Sequence, residues 1–383
     1  MDFDLTQEQR ELRAAVRGFA EEVIAPQAER LDREGEFPVD IVRQMGELGL
    51  FGIPFPEQDG GLGADLVTLC LCIEELARVD SSIAITLEAA VGLGANPIHR
   101  FGTQEQKARW LPAMCRGQVL GAFALTEPGG GTDVRSLSTR ARLDGDEWVI
   151  DGSKAFITNS GTPLSRVCTV AAVDDAGGGI SAILVPTDTP GFRIGPSYRK
   201  LGWHASDTHE VSFDGVRVPR DNLLGERGHG YAQFLEILDD GRVAIAALAT
   251  GLAQGCLDES VRYATEREAF GRPIGGFEGL QFKIADMKVA VENARLAYLR
   301  AGWLRDRGRP FKTEAAMAKL YASEIAVDCA RDAVQIHGGY GFIEDFPVVR
   351  FYRDAKVLEI GEGTSEIQRV LIARALGLPG TEL

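Results

Sequence analysis

Little in this chain points to secretion, membranes, metals or nucleic acid. Its six cysteines (Cys70, Cys72, Cys115, Cys168, Cys256, Cys329) are scattered through 383 residues without a C-x-x-C pair. They read as small buried apolar residues, not as a disulfide framework or a zinc site. The five histidines, His99, His204, His209, His229 and His337, fall at no spacing that would assemble a metal centre. Basic residues are in deficit: 41 Lys and Arg against 56 Asp and Glu leave a net charge of −15, which argues against a nucleic-acid partner. Long apolar runs are missing too. The blandest stretch, Val243 to Ala253, falls far short of the roughly 18 apolar residues a bilayer span needs. The opening Met1-Asp2-Phe3-Asp4-Leu5 is acidic and lacks the basic and apolar regions of a signal peptide. A cytoplasmic protein without membrane insertion is the expectation. Also absent are G-x-G-x-x-G after a strand, G-x-x-x-x-G-K-[ST], H-E-x-x-H and G-x-S-x-G, so nicotinamide, ATP, metalloprotease and serine-hydrolase chemistry lack support.

What is present changes character twice along the chain. From Thr6 to Cys115 the pattern is helical, with capping-box spacing at Thr6/Gln9 and Thr103/Gln106 and Pro38 suited to a first helical position. From about Gly121 to Gly225 alternating β-branched and aromatic runs are broken by Asp144-Gly145, Asp151-Gly152, Asp174 to Gly179, Pro190-Gly191 and Asp214-Gly215, which predicts antiparallel strands joined by turns. After Gly230 long helical patterns return, interrupted near Arg267 to Gly276, Arg307 to Pro310 and His337 to Phe346. Helices, strands, then helices predict an α+β fold: an all-α domain over 1–120, a β-barrel or sandwich over 121–228 and a four-helix bundle over 229–383.

Four glycine-rich, hydroxyl-bearing segments suggest a phosphorylated cofactor. Thr126-Glu127-Pro128-Gly129-Gly130-Gly131-Thr132-Asp133 offers backbone N–H groups and hydroxyls to an anion, although a Pro-Gly turn explains it as well. Lys154 to Asn159 puts Phe156 and Thr158 on one face of a strand, where plain sheet core is the simpler account. Gln335-Ile336-His337-Gly338-Gly339-Tyr340-Gly341 breaks a helix with glycines no helix interior favours. Ile360-Gly361-Glu362-Gly363-Thr364-Ser365-Glu366 sets one carboxylate between glycines just before a helix that Thr364 or Ser365 could simply cap.

In order and spacing these segments resemble the signature stretches of the acyl-CoA dehydrogenase family. Pro54 to Gly63, Glu74-Glu75-Leu76-Ala77, Leu201 to Asp207, Glu266 to Gly271 and Arg353 to Lys356 do so too, so the likeness runs from Phe3 to the C-terminus. The resemblance implies FAD held between the β domain and the C-terminal bundle, an acyl-CoA substrate, an electron-transferring flavoprotein as partner, and a homotetramer built as a dimer of dimers. It implies that Phe123, Leu125, Thr126 and Thr132 line the cofactor, with Phe156, where the family often has Trp, and Thr158 at the flavin. Arg267, Phe270, Gln335, Gly338 and Gly339 would contact FAD, the arginine and the glycine segment commonly from a neighbouring subunit, and Thr364 and Glu366 would complete the cofactor contacts. Glu278 stands where the family usually has Gln. Thr132, Asp239, Arg242, Gly361 and Gly363 would contact substrate, Arg242 from the opening of a long helix.

Glu362 matches the family's catalytic base. A weakly acidic thioester α-hydrogen needs donors at the thioester oxygen, implied to be the Glu362 N–H and a flavin hydroxyl, and a carboxylate in a dry cleft whose pKa is raised toward the working pH. No side chain accepts hydride, so the flavin must take it from the β-carbon. The expected activity is α,β-dehydrogenation to a trans-2-enoyl-CoA. An acyl-CoA oxidase and a non-catalytic FAD- or CoA-binding scaffold are the rivals, and Asp239, Asp240 and Glu88 are fallback bases. Gly241 excludes a base from that helix position.

Overall fold

The computed structural model describes residues 4–177 and 179–379. The acidic opening at residues 1–3, residue 178 in the Asp174 to Gly179 turn, and residues 380–383 lie outside it.

The first third folds as the caps predict. Thr6 Oγ1 accepts from Gln9 N, and Gln9 Oε1 accepts from Thr6 N, both at 3.1 Å, which starts α1 (Gln7–Phe19). A π-helical turn, Ala20–Ile24, leads into α2 (Ala25–Glu34). There follow α3 (Val39–Glu47), α4 (Leu66–Ala77), α5 (Ser81–Glu88), a second π-helical turn over Ala89–Ala95, α6 (Asn96–Phe101) and α7 (Gln104–Cys115), the last opened by the Thr103/Gln106 box. Pro38 is one place earlier than expected: it is the N-cap of α3, with ψ 78°, and its carbonyl accepts from Val42 N at 3.1 Å. Proline's ring fixes φ but leaves ψ free to turn the chain into the helix.

The middle third is one eight-stranded sheet: β1 (Leu120–Ala124), β2 (Arg140–Asp144), β3 (Glu147–Thr158), β4 (Ser165–Asp174), β5 (Ile180–Pro186), β6 (Phe192–Ser197), β7 (Thr208–Pro219) and β8 (Leu223–Leu224). Most pairings are antiparallel as expected, but β1 and β2 both run parallel to β4. Two expected turns are not turns. Asp151-Gly152 and Asp214-Gly215 face each other within the long β3–β7 ladder, whose register shifts between Ile150 and Gly152, and Gly215 N donates to Asp151 Oδ1 at 2.7 Å. Aspartate followed by a positive-φ glycine serves a β-bulge as well as a hairpin, so the dipeptide alone does not distinguish them.

The last third comprises α8 (Gly230–Glu266), a hairpin of β9 (Glu268–Ala269) and β10 (Arg272–Pro273), then α9 (Glu278–Asp306), α10 (Lys312–His337), α11 (Pro347–Ala355) and α12 (Ser365–Ala375). The breaks fall where expected. Small residues let α4 cross α8 closely: a Cβ on Gly251 would sit 2.2 Å from the Glu74 carbonyl oxygen. Arg242 does not open a helix. Because α8 begins at Gly230, Asp239-Asp240-Gly241-Arg242 is helix interior, and all but Gly241 are charged groups buried there. The acids are neutralised by cations: Lys312 Nζ lies 2.7 Å from Asp239, and Arg305 Nη2 donates to Asp240 at 2.9 Å. One large core joins both helical domains to a face of the sheet, and a second, smaller core lies within the β domain.

Candidate active site

Glu362 lies in the loop between a 3-10 turn, Lys356–Glu359, and α12. It adopts φ +53°, and Gly363 adopts +95°. Holding a non-glycine residue in the left-handed region costs on the order of 1–3 kcal/mol, so the loop must be braced. Lys319 Nζ and Gln368 Nε2 both donate to the Gly363 carbonyl, at 2.8 and 2.9 Å. Thr364 caps α12 by accepting from Ile367 N at 3.3 Å. Glu366 follows, exposed in the first turn of α12.

The braced turn aims the Glu362 carboxyl inward, where Oε2 is buried. It points at α8, and Gly241 makes the room: a Cβ there would lie 2.1 Å from Oε2. Burial raises the Glu362 carboxyl above the usual carboxylate range, and hydrogen bonding with Glu88 and the charges of Lys319 and Arg242 draw it part of the way back. Arg242 is itself buried and pairs with Asp239 one turn away. Lys319 is fully buried, and burial lowers its ammonium to about 8. Asp239 and Asp240 are held by cations, which leaves Glu88 as the one fallback acid facing Glu362.

The strand residues come together on a second side. The Phe123 ring packs on Phe234 of α8 with centroids 4.3 Å apart. Leu125 is buried, and the half-buried Thr126 accepts from Ala155 N at 2.9 Å. Thr132 is exposed in the glycine-rich turn. Phe156 is 64% exposed at φ +61°, its ring 5.2 Å from that of Tyr198. Thr158 ends β3, half-buried, and the Asn159 side chain then donates to the Thr86 carbonyl at 3.2 Å, which ties this strand end to α5 near Glu88.

The third group stands apart. Arg267, Gly338 and Gly339 line a cleft of about 530 Å³ with Tyr263, His337 and Tyr340. Arg267 lies over the Tyr340 ring, 5.6 Å from its centroid, and His337 stacks on Tyr263 at 4.2 Å. Gln335 is exposed on the last turn of α10, and Phe270, at the tip of the β9–β10 hairpin, is 95% exposed. Lys319 and His337 are both on α10, about 27 Å apart along its axis at the usual rise, so this cleft is remote from Glu362. Glu278 is exposed as the first residue of α9, where the helix dipole favours a carboxylate.

Sequence reasoning missed the Lys319 brace and a buried pair in the β domain. Lys154 Nζ, with no exposure, donates to Glu127 Oε1 at 2.8 Å and to the Leu125 carbonyl at 3.1 Å. Lys319 carries a usable signal, a lone charge within the mostly apolar run Ala315 to Ala322.

The same architecture occurs in known proteins. Descriptions of the acyl-CoA dehydrogenase N-terminal, middle and C-terminal domains match residues 6–118, 122–216 and 228–377. A probable acyl-CoA dehydrogenase of Bacillus subtilis, YngJ, is 49% identical over 98% of this chain and 100% of its own. The mouse mitochondrial short-chain specific acyl-CoA dehydrogenase is 45% identical over 94% of this chain and 88% of its own. Among solved structures, butyryl-CoA dehydrogenase of Megasphaera elsdenii superposes with a TM-score of 0.95 at 41% identity, over 98% of this chain and 100% of that one. An acyl-CoA dehydrogenase of Bacillus anthracis complexed with FAD gives 0.92 at 33% identity, over 98% and 69%. With its helical, β and helical parts matched in order along almost its whole length, the chain belongs to the acyl-CoA dehydrogenase family of FAD-dependent oxidoreductases.

Proposed function

We propose that Glu362 is the base that removes the α-proton of an acyl-CoA thioester, so that loss of the β-hydrogen as hydride yields the trans-2-enoyl-CoA. The observation that carries this reading is the Glu362 carboxyl itself, held inward by a strained backbone in a site that burial keeps dry, with its proton affinity raised. A base works best when its pKa approaches the working pH. The charges of Arg242 and Lys319 oppose part of that rise.

The residues fit FAD. Phe156 presents a large exposed ring where a flat apolar ring system could stack, with Thr158 beside it and Leu125 and Thr126 on the adjoining segment. Bound FAD supplies the hydride acceptor. His337 Nε2 is buried without a partner and faces the cleft with Arg267, which suits the nucleotide end of a dinucleotide. The separation along α10 makes this cleft fit a neighbouring subunit's cofactor better than the chain's own. Along α9 the heptad-spaced Phe282, Val289, Leu296 and Trp303 are 63, 60, 50 and 38% exposed, a stripe suited to a second copy of this chain and so to the tetramer. Asp239, through Arg242, and Gly361 and Gly363 shape the substrate side, with Thr132 placed for a phosphate. The names of the mouse and Megasphaera relatives favour a short acyl chain, and an electron-transferring flavoprotein is the electron acceptor we assign.

Glu362→Gln tests the base. It keeps shape while removing basicity, so the variant should fold, stay yellow and bind acyl-CoA, while anaerobic flavin bleaching slows by roughly a hundredfold to ten-thousandfold. Bleaching at the parent rate would place the base elsewhere. Screening straight and branched esters in the same assay ranks the substrates, and peroxide accumulation in air would turn the reading toward an oxidase.

A further inference from the structure

Glu88 is a charged side chain placed where a charge is least welcome. It is the last residue of α5, in the run Ile83 to Val91 whose other residues are all apolar except Thr86, and has no solvent exposure. Outside the carboxyl pair it forms with Glu362, neither Oε1 nor Oε2 meets a donor. Its surroundings are nevertheless built for it. The helix switches to π geometry immediately after Glu88, a change that recurs at functional sites, and Gly92 within that turn leaves space that a Cβ would fill 2.9 Å from Glu88 Oε1. The space over Gly241 borders both acids: a Cβ there would lie 2.1 Å from Glu362 Oε2 and 3.7 Å from Glu88 Oε1. Two glycines on two elements thus keep room for two facing carboxyl groups.

Two buried carboxylates at such range cannot both ionise, so the pair retains a proton. Cations decide which carboxyl holds it. Arg242 and Lys319 both stabilise negative charge on Glu362. For Glu88, burial, then the charge of Glu362 and the hydrogen bond between them all act to raise its carboxyl, and no cation opposes them. Arg242 is itself paired with Asp239, and the buried Cys70 thiol of α4 also feels the charge of Glu88.

We propose that Glu88 is a positioning residue for the base: as a neutral carboxylic acid it donates a hydrogen bond to the Glu362 carboxylate, which orients that carboxylate and keeps it ionised in a dry site. The inference rests on the reading of Glu362 as base, and it accounts for the orphaned Glu362 Oε2, one of the orphaned Glu88 oxygens and the glycine at 241 together.

The test compares Glu88→Met, which keeps shape without a donor, with Glu88→Gln, which keeps a donor that never ionises, both as FAD-loaded enzyme with butyryl-CoA as probe. In Glu88→Met, flavin reduction should slow on the order of tenfold or more, the worth of one charge-assisted hydrogen bond. KM should change little. The acid limb of the rate profile should move to higher pH, because Glu362 loses a donor that favours its ionised form. Glu88→Gln should recover most of the rate. A readout independent of turnover is the melting temperature. The proton on Glu88 stabilises the folded protein below the ordinary glutamate pKa, and that contribution is lost as pH rises through the raised value. Glu88→Gln should therefore gain stability relative to the parent as pH rises. Parental rate and pH profile in Glu88→Met would overturn the proposal. So would equal abolition of bleaching in both variants, which would make Glu88 the base itself. Failure of the underlying reading is separate: it shows as undiminished bleaching in Glu362→Gln.

Discussion

Gly241 illustrates how one missing side chain can serve a reaction. In mid-helix a glycine costs about 0.5–1 kcal/mol relative to alanine, and here it sits inside α8, where nothing about the backbone demands it. The space beyond it is what matters, since a Cβ would fall 2.1 Å from Glu362 Oε2. That atom ends a flexible side chain, so Gly241→Ala should be accommodated by swinging the carboxyl aside rather than by deforming the helix. Thermal stability should hold or rise slightly, FAD content should be unchanged, and substrate-driven flavin reduction should fall by about tenfold or more, the penalty of misplacing a catalytic group. A crystal structure of the variant with Glu362 unmoved and full activity would contradict this account. From the sequence, Gly241 excluded a base at its own position. That it makes room for the Glu362 carboxyl more than a hundred residues away is legible only once α8 and the Glu362 loop are packed together.

At the scale of elements, the glycine-rich segment after β1 has few ladder bonds of its own and depends on the Glu127–Lys154 pair. Glu127 takes donors from Lys154, from Ser138 N and Oγ at 2.6 Å each and from Thr139 N at 2.9 Å. Burial would raise its carboxyl, but these bonds reverse the effect and hold it at about 2. Glu127→Gln would leave the Lys154 ammonium buried beside a neutral amide, and the expected loss is about 3 kcal/mol. The pH dependence has a definite sign. A carboxyl whose folded pKa is depressed gives stability that is complete above its unfolded value, about 4.3, and is lost as pH falls toward 2. The parent should therefore lose melting temperature across that window faster than Glu127→Gln. Parallel melting curves would mean the pair contributes little. The capping boxes, the helix breaks and the glycine-rich turns were readable beforehand because each is local chemistry. The Asp-Gly bulges were misread as turns, since a bulge differs from a hairpin only in what lies across the ladder.

On the scale of the whole molecule, the exposed apolar stripe of α9 and the remote Arg267 cleft belong to the same expectation. If neighbouring copies bury Phe282, Val289 and Leu296 and the cleft holds part of a neighbour's FAD, assembly and cofactor retention are linked by mass action. Val289→Lys with Leu296→Lys should dissociate the assembly, and the separated chains should lose FAD on gel filtration, as should the parent on sufficient dilution. A monomer that keeps its full complement of flavin would refute the link. No helix among the described residues is long and apolar enough to cross a membrane.

The amino-acid sequence by itself determined the order of helical, β and helical parts, the Gly-Glu-Gly-Thr segment that sets one carboxylate between glycines before a helix, and the glycine-rich segments suited to a phosphorylated cofactor. These follow from propensity, capping and backbone freedom, which act between residues close along the chain. Tertiary structure alone decided that Glu88 faces Glu362, that Lys319 braces the loop, that Arg242 is buried in mid-helix, and that the Arg267 cleft stands far from Glu362. Such features depend on desolvation and on charges brought together from distant elements, and neither is a property of any short stretch of sequence.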